Sequence, residues 1–342
     1  MKCSSIQVIL FSLLFCTILN SCKQDTTIPS VKNKIIDIPK GFPPISFPAD
    51  NGFTHERWAL GKQLFFDKQL SKNNTISCAS CHRQHVAFSD DVALSVGDNN
   101  AVGTNNTPTL ANVAYHPYYT RAGGVPTLEM QILVPIQEHN EFNTNMIDVV
   151  EKLKQNSTYQ ILAKTAYNRE IDAFVITRAI ATFERSLISG NSRFDDFYYE
   201  GNKTALNESE QRGFSLFTSS KTNCSSCHSG FDFTNYAFEN NGLYITYADS
   251  GRMKFTKLPE DRAKFKIPTL RNIAVTAPYM HDGSFNTLKE VIEHYNNGGK
   301  NHINKSNLIR PLALTEQEKQ DIINFLHSLT DNTFIQNPIF KP

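Results

Sequence analysis

Two short stretches hold residue types whose spacing can do chemistry: Cys78-Ala-Ser-Cys81-His82 and Cys224-Ser-Ser-Cys227-His228. In each, two thiols three positions apart can form thioether bonds to the two vinyl groups of one haem. The histidine that follows then falls under the iron as its proximal ligand. Zinc is a weaker reading, because it needs four ligands per site and no further cysteine pair completes either one. A redox Cys-x-x-Cys does not need a histidine directly after it, and here one follows twice. The motifs imply two covalently bound c-type haems.

The elements that must position these motifs are written twice. Gly61-x-x-Leu-Phe65 precedes the first motif and Gly213-x-x-Leu-Phe217 the second. Pro108-Thr-Leu-Ala-Asn112 matches Pro268-Thr-Leu-Arg-Asn272 at an offset of 160 positions. After each come a Pro-Tyr pair (Pro117-Tyr118, Pro278-Tyr279), a glycine turn, and Thr127-Leu128 or Thr287-Leu288 opening a helix. Five landmarks in one order in both halves describe a duplicated monohaem unit. Thr54 caps the first helical pattern, and residues 145–156, 173–188 and 193–200 have helical spacing of apolar residues. Residues 315–329 open with the capping box Thr315-Glu-Gln-Glu318 and read as an amphipathic helix packing on the second unit. Residues 86–106, rich in Asp, Asn, Gly and Ser, read as loop wrapped over the first haem. Strand signals are few and short. The expected fold class is mainly α: two tandem cytochrome c-like domains, each holding one haem, with large loops and little β-structure.

The 342 residues accommodate two domains with real cores. With a net charge of +1, nothing points to a nucleic-acid partner or to strong electrostatic attachment to a membrane. Met1-Lys2 and the apolar run 6–19 form a secretory signal too short for a comfortable membrane span. Leu19-Asn20-Ser21-Cys22 resembles a bacterial lipobox, which implies cleavage before Cys22 and lipidation of that residue. Cysteine usage agrees. Of seven cysteines, Cys3 and Cys16 leave with the signal and four belong to the motifs, so an unmodified Cys22 would be an unpaired thiol in an oxidising compartment. The expected organisation is a lipoprotein signal over 1–22, a Pro-rich tether over 23–50, a first haem domain over 51–205 and a second over 206–342.

A pure electron carrier keeps both axial positions of its iron filled, whereas an enzyme acting on peroxide or oxygen needs one open face. None of the remaining histidines presents itself as a distal ligand to the first haem. His85 is too close to His82, His116 belongs to the repeat, and His55, His302 and His327 read as surface or packing residues.

The chain resembles the bacterial dihaem cytochrome c peroxidase/MauG family over nearly its whole mature length. The carrying residues are both haem motifs, Leu128-Glu-x-Gln131-x-x-x-Pro135, Glu141, and Pro268-Thr-Leu-Arg-Asn272 through Ala277-Pro-Tyr-Met-His-Asp-Gly283, continued by residues 294–299. The resemblance makes the first haem peroxidatic and puts Gln131, Pro135 and Glu141 on its distal face. A carboxylate there, its pKa raised by burial, can move a proton between the two oxygens of peroxide. For the second haem, Met280, His294 and Tyr295 lie close together as candidate sixth ligands. The family's ligand falls fourteen residues after the histidine equivalent to His281, which favours Tyr295, with Met280 the alternative. The resemblance also implies a calcium ion between the haems, held by Asn106 and the backbone carbonyls of Thr276 and Pro278. One departure stands out: where the family has an interhaem tryptophan, this chain has Arg121, leaving Tyr118 or Tyr119 to couple the haems. The implied activity is reduction of hydrogen peroxide to water. Electrons from a small cytochrome c or cupredoxin would pass through the second haem. The alternatives are a MauG-like oxidase of a protein or small molecule, and a non-catalytic dihaem carrier. The implied setting is periplasm-facing in a Gram-negative bacterium, touching membrane only through the lipid anchor; a homodimer is compatible.

Overall fold

A computed structural model describes residues 35–342. The signal sequence, Cys22 and the first part of the expected tether lie outside the described residues. Thirteen helices are described: α1 (His55–Phe66), α2 (Cys78–Cys81), α3 (Leu128–Gln131), α4 (Leu133–Gln137), α5 (Met146–Lys154), α6 (Ser157–Tyr167), α7 (Ala173–Arg185), α8 (Arg193–Tyr198), α9 (Glu208–Thr218), α10 (Met253–Thr256), α11 (Leu288–Asn296), α12 (Glu316–Ser328) and α13 (Asn332–Ile335). Among the described residues the only paired strands are β1 (Phe238–Glu239) and β2 (Phe265–Lys266), antiparallel. The fold is mainly helical, in two tandem domains.

The repeat has a physical cause. Gly61 lies where α1 crosses α7 so closely that a Cβ would sit 1.8 Å from the Ala179 carbonyl oxygen. Gly213 lies where α9 crosses α12, and its Cβ would sit 2.0 Å from the carbonyl oxygen of Asp321. Each crossing has a phenylalanine one turn on, Phe183 and Phe325, both fully buried. The first core gathers around α1, α5, α6 and α7, and the second around α9, α11 and α12. Complete burial of a side chain such as Phe183 contributes about 1.5–3 kcal/mol.

Side-chain caps fix where the helices begin. Thr54 Oγ1 accepts from the Arg57 amide at 3.2 Å, Asp172 caps α7, and reciprocal boxes open α9 (Asn207, Glu210), α11 (Thr287, Glu290) and α12 (Thr315, Glu318). The two repeat asparagines do matching work. Asn112 and Asn272 both adopt φ of 60°, and their amides donate to the Leu187 and Leu329 carbonyls just past α7 and α12. The repeat register differs by one residue from the Pro-Tyr match. Paired bridges join Tyr119 with Val125 and Tyr279 with Phe285, so Tyr119, not Tyr118, is the equivalent of Tyr279. Tyr119 is the buried member of its pair.

Two segments depart from expectation. The described part of the tether is packed: the Phe42 ring lies 4.6 Å from that of Phe231, and the Arg271 guanidinium lies 4.6 Å from the Phe42 ring. Residues 332–340, beyond the terminal helix, cross back to the first core. There Phe334 and Phe340 pack against Phe88 at 5.6 and 6.1 Å between ring centroids.

Candidate active site

Both cysteine-histidine motifs fold alike. The His82 amide donates to the Cys78 carbonyl and the His228 amide to the Cys224 carbonyl, each at 2.9 Å. His82 Nδ1 lies 2.8 Å from the carbonyl oxygen of Phe88, and His228 Nδ1 lies 3.1 Å from that of Phe233. A carbonyl only accepts, so Nδ1 carries the hydrogen and Nε2 keeps its lone pair for a metal. Burial holds His82 below the ordinary imidazole range and takes His228 down to about 4, which keeps both rings neutral and able to ligate.

No disulfide joins the four motif cysteines. Burial pushes Cys81 and Cys227 up to about 11 and Cys78 well above the ordinary thiol value, the opposite of a redox pair with a stabilised thiolate. Among the described residues no cluster of three or more His, Cys, Asp or Glu side chains could hold a free metal ion, which removes the zinc reading. Paired neutral thiols beside an Nε2-directed imidazole fit a covalently attached haem at each motif.

On the first motif's side, α3 and α4 follow the glycine turn, and residues 138–143 return from α4. The Pro135 carbonyl accepts from the Phe142 amide at 3.0 Å, and the Asp98 amide donates to the Glu141 carbonyl at 2.8 Å. Asp98, fully buried, also accepts from the Thr75 hydroxyl and the Asn73 amide, binding the loop of Glu141 to the segment that leads into Cys78. Gly97 permits this closeness, since a Cβ there would sit 2.2 Å from the Asn140 carbonyl oxygen.

Glu141 is exposed as a residue, while enough protein lies near its carboxylate to desolvate it. Desolvation, helped by the charge of Glu138, lifts its pKa to about 7. Its loop is tied through Asp98 to the segment that leads into Cys78, and its charge acts weakly on Cys78 and Cys81. Gln131 Oε1 is buried with no hydrogen-bond partner, an orphaned acceptor in the same region of α3. Pro135, four residues beyond Gln131 along α3 and α4, is joined to the loop of Glu141 through the Phe142 amide. Sequence reasoning missed Glu184. Buried near the end of α7, Glu184 is raised to about 8 by burial and influences Cys78 more than any other charge does. Its signal was an acidic residue at the end of the long buried face of α7.

At the second motif, Tyr295 in α11 is close enough to Cys224 and Cys227 for their charges to act on it, and burial pushes its phenol up to about 12. Met280, at φ 77°, packs instead with Leu243, Tyr247, Phe265 and Phe285. Asn241, also missed from sequence, stands between them. Its Nδ2 donates to Met280 Sδ at 3.3 Å, and its carbonyl lies 2.9 Å from His294 Nε2, which occupies the third candidate.

Between the halves, Arg121 Nε donates to the Asn106 carbonyl at 2.6 Å and Nη2 to Asn106 Oδ1 at 2.7 Å. The expected calcium does not fit this arrangement. Calcium takes six to eight oxygens at about 2.3–2.6 Å, and here both Asn106 oxygens already accept from a fixed positive charge. Neighbouring Lys266 donates to the Tyr118 carbonyl at 2.8 Å and lies 3.2 Å from His116 Nδ1. Burial brings Lys266 down to about 8.

Comparison with known proteins gives this geometry its setting. A family model described as di-haem cytochrome c peroxidase matches residues 55–204, and a cytochrome c model matches residues 210–330. The methylamine utilization protein MauG of Methylorubrum extorquens is 37% identical over 289 residues, covering 83% of this chain and 81% of that protein. The cytochrome c551 peroxidase of Nitrosomonas europaea is 34% identical over 290 residues, covering 83% of each. A crystal structure of a MauG-like protein associated with microbial copper homeostasis superposes with a TM-score of 0.84 at 35% identity, covering 89% of this chain and 98% of that one.

Proposed function

Since the chain belongs to the di-haem cytochrome c peroxidase and MauG family, we propose that it reduces hydrogen peroxide to water at its first haem site with electrons delivered through the second. The observation that supports this reading is the loop of Glu141, tied through Asp98 to the segment leading into Cys78, with its carboxyl raised to about 7. When bound, the haems supply irons that exchange single electrons, and the first supplies the centre at which peroxide is reduced.

The chain's own residues supply the rest. Glu141 takes a proton from one oxygen of hydrogen peroxide and returns it to the other, so that the departing oxygen leaves as water rather than hydroxide. Two electrons and two protons complete the balance to two waters. Gln131, with an amide not engaged elsewhere at its oxygen, orients the peroxide, and Pro135 holds the loop that carries Glu141. His82 and His228 would hold the haem irons through Nε2, each imidazole set by a backbone carbonyl. Tyr295, whose phenol lies near enough to Cys224 and Cys227 to feel their charges, would be the second residue to hold the second haem, with Asn241 in contact with both it and Met280. With Arg121 in the interhaem position, buried Tyr119 rather than exposed Tyr118 couples the haems. Export with a lipid anchor at Cys22 would place the enzyme where a small cytochrome c or cupredoxin can donate electrons. The first haem domain would then end near residue 205.

Tyr295 and the likeness to MauG favour a second reading, oxidation of a protein or small molecule with peroxide as the oxidant. Low-temperature EPR of the haem-loaded protein, before and after one equivalent of peroxide, tests both. A high-spin ferric signal that peroxide removes, either in the oxidised protein or after one-electron reduction, is expected. Low-spin signals indifferent to peroxide, two in the oxidised protein and one after one-electron reduction, would make the protein a carrier.

A further inference from the structure

We propose that Arg121 is a built-in cation that takes the place of a metal ion between the two haem units, so that the chain holds itself together there without calcium. This inference is independent of the peroxidase reading.

The argument begins with the partners of the guanidinium. Arg121 makes no ion pair with a carboxylate among the described residues; its donors meet the carbonyl oxygen and the Oδ1 of Asn106 at 2.6 and 2.7 Å. Neutral carbonyl and amide oxygens are the donor class that a hard metal cation takes. Here a guanidinium has them, in a fork whose geometry a point charge does not share. Burial lowers Arg121 to about 10, which leaves it charged at neutral pH.

Asn106 is built for this contact. It is buried, and its Nδ2 donates to the Val92 and Ala93 carbonyls, both at 3.3 Å, which turns Oδ1 toward Arg121. Its amide donates to the carbonyl of His281 in the second half at 2.8 Å. Arg121 adds a tie of its own, since its carbonyl accepts from the Lys266 amide at 2.7 Å.

The repeat explains how the arginine arrives there. Thr120 at φ 62° and Gly123 at φ 70° form the turn that Met280 at 77° and Gly283 at 70° form in the second half. Arg121 is therefore the counterpart of His281. The two equivalent residues meet the same Asn106, one through its side chain and one through its carbonyl. A tethered cation cannot be removed by a chelator, and it occupies the coordination that a calcium ion would need.

The test uses the full-length, haem-loaded protein. After exhaustive EGTA treatment and desalting, calcium is counted by elemental analysis, and thermal unfolding is followed with and without added calcium chloride. The expected result is calcium far below one ion per chain and a Tm that neither EGTA nor calcium moves. Retention of about one calcium per chain, or a Tm that EGTA lowers, overturns the proposal. In Arg121→Gln, which frees Asn106, the Tm should fall and added calcium should raise it again. A variant whose Tm is unchanged, or falls without responding to calcium, refutes the substitution. If that variant does not fold, the wild-type calcium count and EGTA response decide alone.

Discussion

Replacing Glu141 by Gln isolates the proposed proton carrier. The change keeps side-chain volume, and among the described residues no hydrogen bond is made to the Glu141 carboxylate. The loop is held instead by its backbone, through the Asp98, Glu138 and Phe142 contacts. Folding and haem content should therefore survive. A positioned general acid–base contributes about 10²–10⁴-fold, a barrier change of about 2.7–5.5 kcal/mol, and peroxide turnover should fall by that order.

The pH dependence follows from the raised carboxylate. Glu141 must be ionised to accept a proton, and its pKa is about 7. Wild-type turnover should be flat above neutrality and should fall roughly tenfold per unit below it, whereas the Gln variant should show no limb there. Glu138→Gln removes the negative neighbour that raises Glu141, so its limb should move to lower pH. The assay is steady-state peroxide reduction with an artificial reductant, with haem content measured in parallel. A Gln variant that stays within about threefold of wild type, or keeps the same acid limb, would remove Glu141 from the mechanism.

Three further outcomes are expected. In Gly213→Ala, a Cβ 2.0 Å from the Asp321 carbonyl must force α9 and α12 apart. Overpacking of about 1–3 kcal/mol, less about 1 kcal/mol from better helix propensity, should appear as a lower denaturation midpoint; a rise would contradict the crossing geometry. Phe334→Ala should lose about 3–5 kcal/mol and disturb the spectrum of the first haem, because Phe334 packs on Phe88, whose carbonyl orients His82. A loss with no spectral change at that haem would cut this link. Tyr295→Phe should alter the EPR signature of the second haem while Met280→Leu leaves it intact; the reverse pattern would make Met280 the ligand.

The parts legible in sequence were those with a local signature. Cys-x-x-Cys-His and the capping box at Thr315 each state their chemistry within a few residues, whereas Gly61 and Gly213 were legible only as marks of the repeat, their helix crossings not. The repeated Pro-Thr-Leu-x-Asn was legible as a pattern, though its cause was not. Its asparagine must turn left-handed and reach the Leu187 or Leu329 carbonyl, a contact far away in sequence. Helix α6 went unread because Ser157, Thr158, Gln160 and Thr165 dilute its apolar spacing; Tyr159, Ala163 and Ala166 bury it. Asn106 read as a metal ligand because nothing local says that Arg121 folds back onto it. Asn241 and Glu184 are similar cases, since their meaning comes from partners on other elements.

The crossing of residues 332–340 back to the first core carries a consequence for how the protein is made. Gln84 Nε2 donates to the Phe334 and Asn337 carbonyls across 250 and 253 positions. Phe88, whose carbonyl fixes His82, is covered by rings that are synthesised long after it. While the chain is being made, the first cysteine-histidine motif is thus presented without its final cover with some 250 residues still to come. Covalent haem attachment at Cys78 and Cys81 can take place on an accessible chain, and arrival of Phe334 and Phe340 then latches the site behind the cofactor. The two motifs differ in this respect although they repeat one another: the cover of the first is the last to be made, so synthesis itself sets the order in which that site matures and closes.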